Sequence, residues 1–598
     1  MKLNKFNKKL KDEFNDTIED KIVVKETKRF HFKFRYVLLG IAALIIIALV
    51  TDHIMVEDYN SKLVNMTSVN YQELKVTTDK YTSKNELSNA LIYTKQNNRR
   101  KSALENIGSM FNMLACTSSG TKTSNGSSGG VEPKDGSAPT SDVEIGTGTT
   151  PGNSYNTNNQ EAGIDEADTA KCDGTYIYSL TSGCLYIFDL EGNQLARETF
   201  NYTTKQLYVY GDKVIVFLGD GINIYTFDGS TLTLSKEYKN QLVDSRLVDN
   251  NLFLITRESL NLDRINYDNA YYDGSVNPYY VYKIYRLNLN NLDDNKEANL
   301  VSTSSANIYM SDNYLYFTTS YNDTCTNIFI IDYDLNGYAA IKEAGYALNQ
   351  YSFSEYDGMF RYVLTDRTKT IYNSIYVYDL ANKKLAGSLL NQIGLERELV
   401  KSVRFEKNIC YVCTYRNTDP LYEIDLSDPT NITIKSELHV AGYSGYLHYF
   451  VINDKKYVLG TGYDDSGYPK ISIYEQTEDD LVQVGKNLVI SPYEQTLLFD
   501  SIQYVPQNLD YYNWNALVNS YRGYRFYFVD DILYFGSPIT NNTYSIFKID
   551  LKEEDPISLY KEHIYEKKDQ AWYNHLRCFI VNSKLYFVGN GSISIEEF

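Results

Sequence analysis

Between Asp165 and Phe598 the sequence repeats one pattern nine times: a β-forming run rich in aromatic residues, a polar turn, and a second run that often ends on Asp. The paired runs are 176–180 with 184–189, 214–217 with 222–228, 252–255 with 280–282, 314–317 with 328–332, 360–363 with 375–379, 410–413 with 421–425, 457–459 with 471–474, 533–535 with 544–547, and 585–587 with 593–595. The spacing is about 48 residues, within the range of a four-stranded propeller blade. Because a lone hairpin is marginally stable in water, neighbouring repeats must cover one another. The sequence therefore predicts an all-β fold over residues 157–598, a β-propeller of eight to nine four-stranded blades.

The N-terminal region combines a basic tail with an apolar run. Residues 1–35 hold eleven Lys and Arg against six Asp and Glu, and the apolar residues 36–51 follow Lys33 and Arg35 directly. Basic flanks stay in the cytoplasm. We therefore predict a cytoplasmic tail at 1–35, a transmembrane helix at 36–51, and a cell-membrane protein with its propeller outside the cell. A cleaved signal peptide is the alternative, disfavoured by the long leader and the lack of a small-x-small cleavage site.

Charge and cysteine content narrow the class of protein further. The whole chain carries a formal charge of −18 even though its N-terminus is basic, which disfavours nucleic acid as a partner. Seven cysteines cannot all pair within one chain. Cys410 and Cys413 have CxxC spacing, but on one strand they point to opposite faces, so apolar packing is favoured over a disulfide or a metal site.

Two segments separate the apolar run from the propeller. Residues 52–116 are predicted to form an extracellular helical stalk, in which Ser83-Lys-Asn-Glu86 has capping-box spacing and a second apolar helical face follows at 103–114. We expect these helices to pack together or against the propeller. Residues 117–156 are almost wholly Ser, Thr, Gly, Asn and Pro with scattered charge, typical of a disordered linker. Protease cleavage of this linker on intact cells is expected to release the propeller.

Several stretches resemble one known family. They are Gly-Ile-Asp-Glu-Ala-Asp at 163–168, Asp-Gly-Thr-Tyr-Ile-Tyr at 173–178, Leu-Asn-Gln-Tyr-Ser-Phe at 348–353, Ser-Val-Arg-Phe at 402–405, Thr-Tyr-Arg-Asn-Thr-Asp-Pro-Leu at 414–421, Ile-Asp-Leu-Ser-Asp-Pro at 424–429, Gly-Tyr-Ser-Gly-Tyr-Leu-His at 442–448 and Lys-Ile-Ser-Ile at 470–473. The chain is similar to bacterial and archaeal secreted or membrane-anchored proteins with a C-terminal β-propeller domain, distantly akin to WD repeats. The resemblance implies the fold and a location at the cell surface, and it implies no activity.

One loop fits the pattern of a calcium site. Asp332, Asp334, Asn336, the carbonyl of Tyr338 and Glu343 match the spacing D-x-[DN]-x-[DN]-G-x5-E, whose oxygens suit Ca²⁺. A simple hairpin turn is the favoured alternative, because an Asp recurs after the same strand in other repeats. These residues are Asp189, Asp228, Asp379, Asp425 and Asp550. No other cofactor is expected.

Basic residues recur shortly before the hairpins, where the innermost strand of each blade is expected. Arg246, Arg404 and Arg577 occupy such positions, with Lys171 and His448 at comparable places. Because innermost strands line the channel of a propeller, these five residues predict a site for an anionic ligand. The favoured alternative is neutralisation within the protein by acidic residues, with Asp165, Glu166, Asp168 and Asp244 as candidates.

Function is only loosely constrained by the sequence. Two Tyr-rich inserts, around 267–280 and 511–524, suit a glycan or a protein partner. The chain lacks His-Glu-x-x-His, Gly-x-Ser-x-Gly and P-loop motifs. We therefore predict a non-enzymatic binding or scaffold module at the cell surface. The alternative is a cell-envelope hydrolase or lyase with its site in the channel, for which the candidates are Arg404, Arg416, Asp419 and His448.

Overall fold

A computed structural model describes residue 78, residues 80–96 and residues 157–598, with gaps at 240, 276, 304, 322–324, 368–369, 417–418, 492–500, 508–515, 520 and 566–574. The predicted tail at 1–35, the apolar run at 36–51 and the linker at 117–156 lie outside the described residues. No helix within the described part of the chain is long and apolar enough to cross a bilayer.

The described chain forms nine blades of mainly antiparallel strands, preceded by the short strand β1 (Ile164–Asp165). Blade 1 contains β2 (Ala170–Cys172), β3 (Tyr176–Thr181), β4 (Cys184–Asp189) and β5 (Gln194–Thr199), and blade 2 contains β6 (Thr204–Tyr210), β7 (Lys213–Leu218), β8 (Ile222–Phe227) and β9 (Leu232–Tyr238). Blade 3 contains β10 (Gln241–Val248), β11 (Asn251–Ser259), β12 (Ala270–Tyr272), β13 (Tyr280–Asn288) and β14 (Asn295–Ser302), with β12 parallel to β14 at the outer edge.

Blades 4 to 6 are regular four-stranded sheets. They contain β15 (Ser305–Met310), β16 (Tyr314–Tyr321), β17 (Cys325–Asp332) and β18 (Gly337–Ala344); β19 (Phe353–Tyr356), β20 (Met359–Asp366), β21 (Tyr372–Asp379) and β22 (Lys384–Ile393); and β23 (Leu399–Glu406), β24 (Ile409–Tyr415), β25 (Asp419–Asp425) and β26 (Thr433–Val440).

Blade 7 is enlarged and blade 9 has three strands in the described part of the chain. Blade 7 contains β27 (Tyr443–Ile452), β28 (Lys455–Tyr463), β29 (Pro469–Gln476), β30 (Leu481–Gln483), β31 (Leu488–Ile490) and β32 (Ile502–Tyr504); blade 8 contains β33 (Arg525–Val529), β34 (Ile532–Pro538), β35 (Thr543–Ile549) and β36 (Ile557–Ile564); blade 9 contains β37 (Arg577–Val581), β38 (Lys584–Gly589) and β39 (Ser592–Glu597). Short 3-10 turns cover Leu262–Arg264, Tyr267–Asn269, Gln350–Ser352 and Tyr521–Gly523.

The predicted propeller is confirmed, and the nine predicted hairpins are the middle strand pairs of the nine blades. These middle strands are almost wholly buried, as in β7 and β16, whereas outer strands such as β9 and β22 are half exposed. The first strand of each blade lies at the inner edge of its sheet and faces the channel, and in blade 3 the short strand β1 lies inside β10. Buried β-branched and aromatic residues explain why the sequence pattern marks the middle strands most clearly.

The core consists of apolar layers between neighbouring blades. On β24, Cys410 packs toward blade 5 with Val363 and Cys413 packs toward blade 7 with Val458. The prediction that these cysteines point to opposite faces is therefore confirmed, and the six described cysteines form no disulfide with one another. Blade 9 closes the ring on blade 1 by the same kind of packing, through a cluster that includes Phe579 and Ile177.

A helix N-terminal to the propeller, α1 (residues 84–96), packs on the outside of blade 3. The Ser83 hydroxyl accepts a hydrogen bond from the backbone N–H of Glu86. The Glu86 carboxylate accepts one from the backbone N–H of Thr82 at 2.8 Å, so these two side chains cap backbone N–H groups at the start of α1. Leu87 and Ala90 are fully buried in a cluster with β12 and β14. Packing against the propeller is confirmed for α1. The predicted helical face at 103–114 lies outside the described residues. A second, four-residue helix, α2 (Ala516–Asn519), belongs to the insert before blade 8.

Candidate functional site

Residues 157–168, here called the channel segment, run through the middle of the propeller. Ile164 in β1 pairs with Val248 at the inner edge of β10, so that β1 lies inside the innermost strand of blade 3. Four residues later, Asp168 forms a backbone bridge with Leu207 on β6 of blade 2. The segment therefore occupies the channel rather than the outside of the ring.

Side chains of the channel segment contact the innermost strands of other blades. The amide of Asn158 donates to the hydroxyl of Tyr446 on β27 at 2.9 Å, and Gln160 donates to the Phe353 carbonyl on β19 at 3.0 Å. The hydroxyl of Tyr309 on β15 donates to the Glu161 carboxylate at 2.9 Å. The sequence Gly-Ile-Asp-Glu-Ala-Asp at 163–168 lies within this segment, so its role in the structure is to fill the channel.

Asp168 links the segment to the last two blades. Arg577 on β37 donates to both oxygens of the Asp168 carboxylate, at 2.5 to 3.1 Å, and Arg525 on β33 donates to one of them at 2.7 Å. Burial alone would raise the pKa of Asp168, but the two guanidinium groups more than offset it and hold this pKa well below its usual range. Arg577 is thus neutralised inside the protein.

Lys171 and Arg246 also have internal partners. The Lys171 ammonium donates to the Asp165 carboxylate, the Thr157 hydroxyl and the Glu166 carbonyl, which engages all three of its protons. Arg246 donates to the Asp244 carboxylate at 2.8 Å and to the side-chain carbonyl of Gln350 at 2.9 Å. Glu166 also lies 4.0 Å from Arg246, so internal neutralisation by Asp165, Glu166, Asp168 and Asp244 accounts for the contacts of these cations. Ligand binding by Lys171, Arg246 and Arg577 stays a prediction.

His448 lies on β27 and is held among aromatic rings. Its ring stacks on Phe526 with centroids 3.5 Å apart, and its Nδ1 lies 3.4 Å from the Tyr446 hydroxyl. Burial, assisted by the charge of Arg404, lowers the pKa of His448 well below its ordinary value. The imidazole is therefore neutral at physiological pH and adds no positive charge to the channel.

Arg404 differs from the other predicted cations. No carboxylate of the described residues lies within ion-pair distance of its guanidinium, and its buried Nε has no hydrogen-bond partner there. Arg404 lines a pocket of about 210 Å³, here called the Arg404 pocket, between blade 5, blade 6 and the channel segment. The lining residues are Gln160, Glu161, Ala162, Tyr351, Phe353, Ser354, Glu355, Tyr356, Arg361, Arg404, Phe405, Glu406 and Lys407.

Arg361 is a second, buried arginine among the residues that line the Arg404 pocket. Arg361 on β20 donates to the backbone carbonyl of Lys407 and to the hydroxyl of Ser354. Its guanidinium carbon lies 5.3 Å from the ring centroid of Tyr356 and 5.1 Å from that of Phe405, in cation–π contact with both. The Nε of Arg361 is buried without a hydrogen-bond partner among the described residues. The ring contacts fix this cation in the pocket wall.

Glu161 is the titratable group that the channel segment contributes to the pocket. Burial raises the pKa of Glu161 to about 7, against the opposing effects of the Tyr309 hydrogen bond and the charges of Arg404 and Arg361. The pocket therefore holds a carboxyl group that changes its charge near neutral pH.

The innermost arginines lie at two levels along their strands. Arg246 pairs with Phe253 and Arg404 with Tyr411, each two residues from the end of its strand, whereas Arg577 pairs with Val588, four residues from the end. The three arginines therefore do not share one strand position: Arg577 lies two residues, about 7 Å, farther from the hairpin turn, because each strand residue adds about 3.3 Å.

Sequence analysis missed Arg525 and Arg361. Arg525 precedes Leu533 by the same number of residues by which Arg577 precedes Leu585, so the repeat spacing itself could have found it. Arg361 lies on a middle strand, where the pattern predicts apolar packing, and nothing in its neighbourhood in the sequence points to a pocket.

The predicted calcium ligands are not brought together. The Asp332 carboxylate accepts from the backbone N–H groups of Asp334 and Asn336, the same turn contact that its counterparts Asp189, Asp228, Asp379, Asp425 and Asp550 make. Asp334 pairs with Arg286. Glu343 on β18 pairs with Thr326, which lies six residues before Asp332 on β17. At about 3.3 Å per strand residue, Glu343 is therefore roughly 20 Å from Asp332. Tyr338 and Asn336 stay near the turn. Calcium binding by the loop stays a prediction, but Glu343 does not reach it.

The remaining candidates are dispersed. Arg416 comes directly after β24, five residues beyond Tyr411, the residue of β24 that pairs with Arg404. The side chain of Asp419 lies outside the described part of the chain. In the first Tyr-rich insert, Tyr271 and Tyr272 are buried against α1 and blade 4, which leaves Tyr279 as an exposed ring. The channel hydrolase or lyase, and aromatic recognition of a glycan, stay hypotheses.

Comparisons with known proteins agree with the fold. The family described as Beta propeller domain matches residues 155–272 and 261–484. An uncharacterized protein of Methanocaldococcus jannaschii is 25% identical over 549 residues, covering 74% of this chain and 81% of the relative. An uncharacterized protein of Archaeoglobus fulgidus is 28% identical over 240 residues, covering 37% of this chain and 35% of the relative.

Solved structures show lower similarity. Apo AztD from Citrobacter koseri is 11% identical with a TM-score of 0.34, covering 68% of this chain and 95% of AztD. BamB from Moraxella catarrhalis is 13% identical with a TM-score of 0.34, covering 66% of this chain and 96% of BamB. The family match extends over more than half of the chain and coincides with the blades described above, so this chain belongs to the β-propeller domain family.

Proposed function

We propose that this chain is a membrane-tethered binding module that acts at the cell surface without catalysis. One observation carries the proposal: the channel segment fills the channel and acidic residues of the protein neutralise Lys171, Arg246 and Arg577, while Arg404 in its pocket has no carboxylate partner among the described residues. A closed ring with a polar pocket is suited to holding a ligand. We therefore propose the Arg404 pocket, rather than the channel as a whole, as the ligand site.

The proposed location rests on the sequence of the N-terminal region. The basic residues 1–35 and the apolar run 36–51 favour a single membrane anchor with the propeller outside. The acidic chain disfavours nucleic acid as the partner and leaves small anions, glycans or proteins. Packing of α1 on blade 3 supports a tether that holds the propeller near the anchor.

An epitope inserted into the linker at 117–156 tests the location. We expect an antibody to label intact cells that express the full chain, and we expect the chain to sediment with membranes. A matched variant that lacks residues 1–51 should lose membrane association. Labelling that appears only after the cells are permeabilised would contradict the proposed surface location.

A further inference from the structure

We propose that the Arg404 pocket binds the carboxylate of a small organic acid, with Arg404 as the residue that contacts it. The inference rests on the proposed function as a binding module and specifies the ligand of that module. It starts from the contrast between Arg404 and its neighbours in the channel. Arg246 and Arg577 each have a carboxylate of the protein at 2.5 to 2.8 Å, and the Arg404 guanidinium has none among the described residues.

The donor geometry of the pocket fits a planar anion. A guanidinium presents its N–H groups in a fixed fork that matches two carboxylate oxygens. Arg361 adds a second guanidinium to the same wall, held by Tyr356 and Phe405. Because Arg404 lines the pocket and forms no ion pair with a described residue, a carboxylate that accepts from its terminal N–H groups would supply the anionic partner that the described residues do not.

The charges around the pocket favour a carboxylate over a phosphate. Lys407 at the rim joins the two arginines, but Glu355 and Glu406 also line the pocket. The Glu355 carboxylate accepts from Asn313 and from the hydroxyls of Ser311 and Tyr316, which fixes a negative charge nearby. With Glu161 protonated, these three cations and two carboxylates leave one positive charge in excess, which a singly charged acid balances and a dianionic phosphate exceeds.

The size of the pocket limits the ligand to a small molecule. The pocket volume of about 210 Å³ is below the roughly 300 to 1,000 Å³ of pockets that hold drug-sized ligands. The rings of Tyr351, Phe353 and Phe405 form the apolar part of the wall. A single sugar acid or a short aliphatic acid fits these limits, and an acidic unit at the end of a larger molecule presents the same group.

Glu161 makes binding depend on pH. The groups that act on its carboxyl are Tyr309, Arg404, Arg361 and Asp312, and Glu355, Glu406 and Lys407 lie around the same pocket. When Glu161 is ionised it repels an anionic ligand and attracts Arg404, and when it is protonated it does neither. Affinity for a carboxylate should therefore fall as the pH rises through about 7, where Glu161 titrates.

The test is calorimetric titration of the full chain in detergent with glucuronate, acetate, inorganic phosphate and uncharged glucose, at pH 6 and pH 8 and constant ionic strength. We expect the parent to bind glucuronate or acetate better than phosphate, and not to bind glucose. Arg404→Gln should weaken carboxylate binding by at least about tenfold. The control Arg397→Gln, an exposed side chain that is paired with Glu396 and does not line the pocket, should change it by less than about twofold.

Glu161→Gln provides a variant with the opposite expected effect. It should bind the carboxylate more tightly than the parent at pH 8 and lose most of the pH dependence. If circular dichroism shows that Arg404→Gln does not fold, Glu161→Gln decides. The proposal is overturned if the parent binds none of the acids, if phosphate binds more tightly than the acids, if Arg404→Gln binds as well as the parent, or if Glu161→Gln retains the parent's pH dependence. Binding of acetate without glucuronate supports the carboxylate site and excludes the sugar acid.

The two proposals fail separately. Loss of surface labelling with carboxylate binding intact would reject the location and keep the ligand class. Surface labelling without carboxylate binding would reject the ligand class and keep the location.

Discussion

The carboxylate of Asp168 lies between the guanidinium groups of Arg525 and Arg577, and all three side chains are almost fully buried. These residues belong to the channel segment and to blades 8 and 9, so the two ion pairs join the N-terminal and C-terminal ends of the propeller sequence. A buried ion pair is a weak source of stability, but removal of one partner leaves an uncompensated charge.

Replacement of Asp168 by Asn should be strongly destabilising. It keeps the shape of the side chain but leaves two buried guanidinium groups without a counter-ion, so we expect the free energy of unfolding to fall by about 3 to 5 kcal/mol. Thermal and urea unfolding measure the change. In the control Asp212→Asn, whose side chain is 58% exposed beside Lys213, the loss should stay below about 1 kcal/mol. Equal losses in the two variants would contradict this role of Asp168.

The direction of the pH effect follows from the lowered pKa of Asp168. The stabilisation that this carboxylate provides is fully present above its unfolded-state pKa, near 3.8, and is lost as the pH falls through the lower pKa of the folded state. The difference in stability between the parent and Asp168→Asn should therefore narrow in strong acid and stay constant above about pH 5.

At the scale of single residues the sequence predicted both the channel cations and their acidic partners. The positions of Arg246, Arg404 and Arg577 on innermost strands follow from the repeat, and all four suggested acidic partners form ion pairs with channel cations. Which arginine lacks a partner could not be predicted. That depends on how residues 157–168 thread the ring, and contacts such as Arg577 with Asp168 join residues at opposite ends of the propeller.

Helix α1 is the element whose position most changes the expected behaviour of the chain. Its residues Leu87 and Ala90 are buried on blade 3, and Lys84 pairs with Asp263. A protein that is cut only in the linker at 117–156 would therefore still hold its propeller through α1. The earlier expectation of release by linker cleavage does not follow from this structure.

Limited proteolysis of membranes should nick the linker without releasing the propeller. We expect the fragment that contains blades 1 to 9 to sediment with the membrane after cleavage and to appear in the supernatant only after denaturation. Leu87→Asp places a charge in the apolar cluster and should allow release of the nicked propeller under native conditions. The exposed helix variant Ile92→Asp, at a side chain that is 42% exposed, is the control and should behave as the parent. Release of the parent propeller after linker cleavage alone would contradict the docking of α1.

Element prediction succeeded where burial imposes a clear pattern. The middle strands combine β-branched and aromatic residues on both faces, which identified all nine pairs. The outer strands carry mixed polar residues, as in β9, and leave little signal. Strand β1 has two residues, so its pairing with β10 has no local signature and arises from tertiary contacts alone.

On the scale of the whole molecule, an acidic protein encloses a cationic channel. The chain carries a net charge of −18, yet Arg246, Arg525 and Arg577 line the interior of the ring with Lys171. The channel segment supplies the carboxylates that balance them and touches inner strands from blade 2 to blade 9. The nine blades were predictable from the repeat, whereas a channel filled by the chain itself was not, because channel occupancy is not a property of any one repeat.

Hydrogen–deuterium exchange of the full chain, read by mass spectrometry, tests directly whether residues 157–168 occupy the channel. The backbone N–H of Asp168 donates to the Leu207 carbonyl on β6, and the N–H of Leu207 donates back at 2.7 Å. The account predicts that peptides covering 160–168 exchange as slowly as the innermost strands β10 and β23, and that Asp168→Asn accelerates exchange in this segment first. If residues 160–168 exchange at the rate of the denatured chain while β10 and β23 remain protected, the segment does not fill the channel and the account is contradicted.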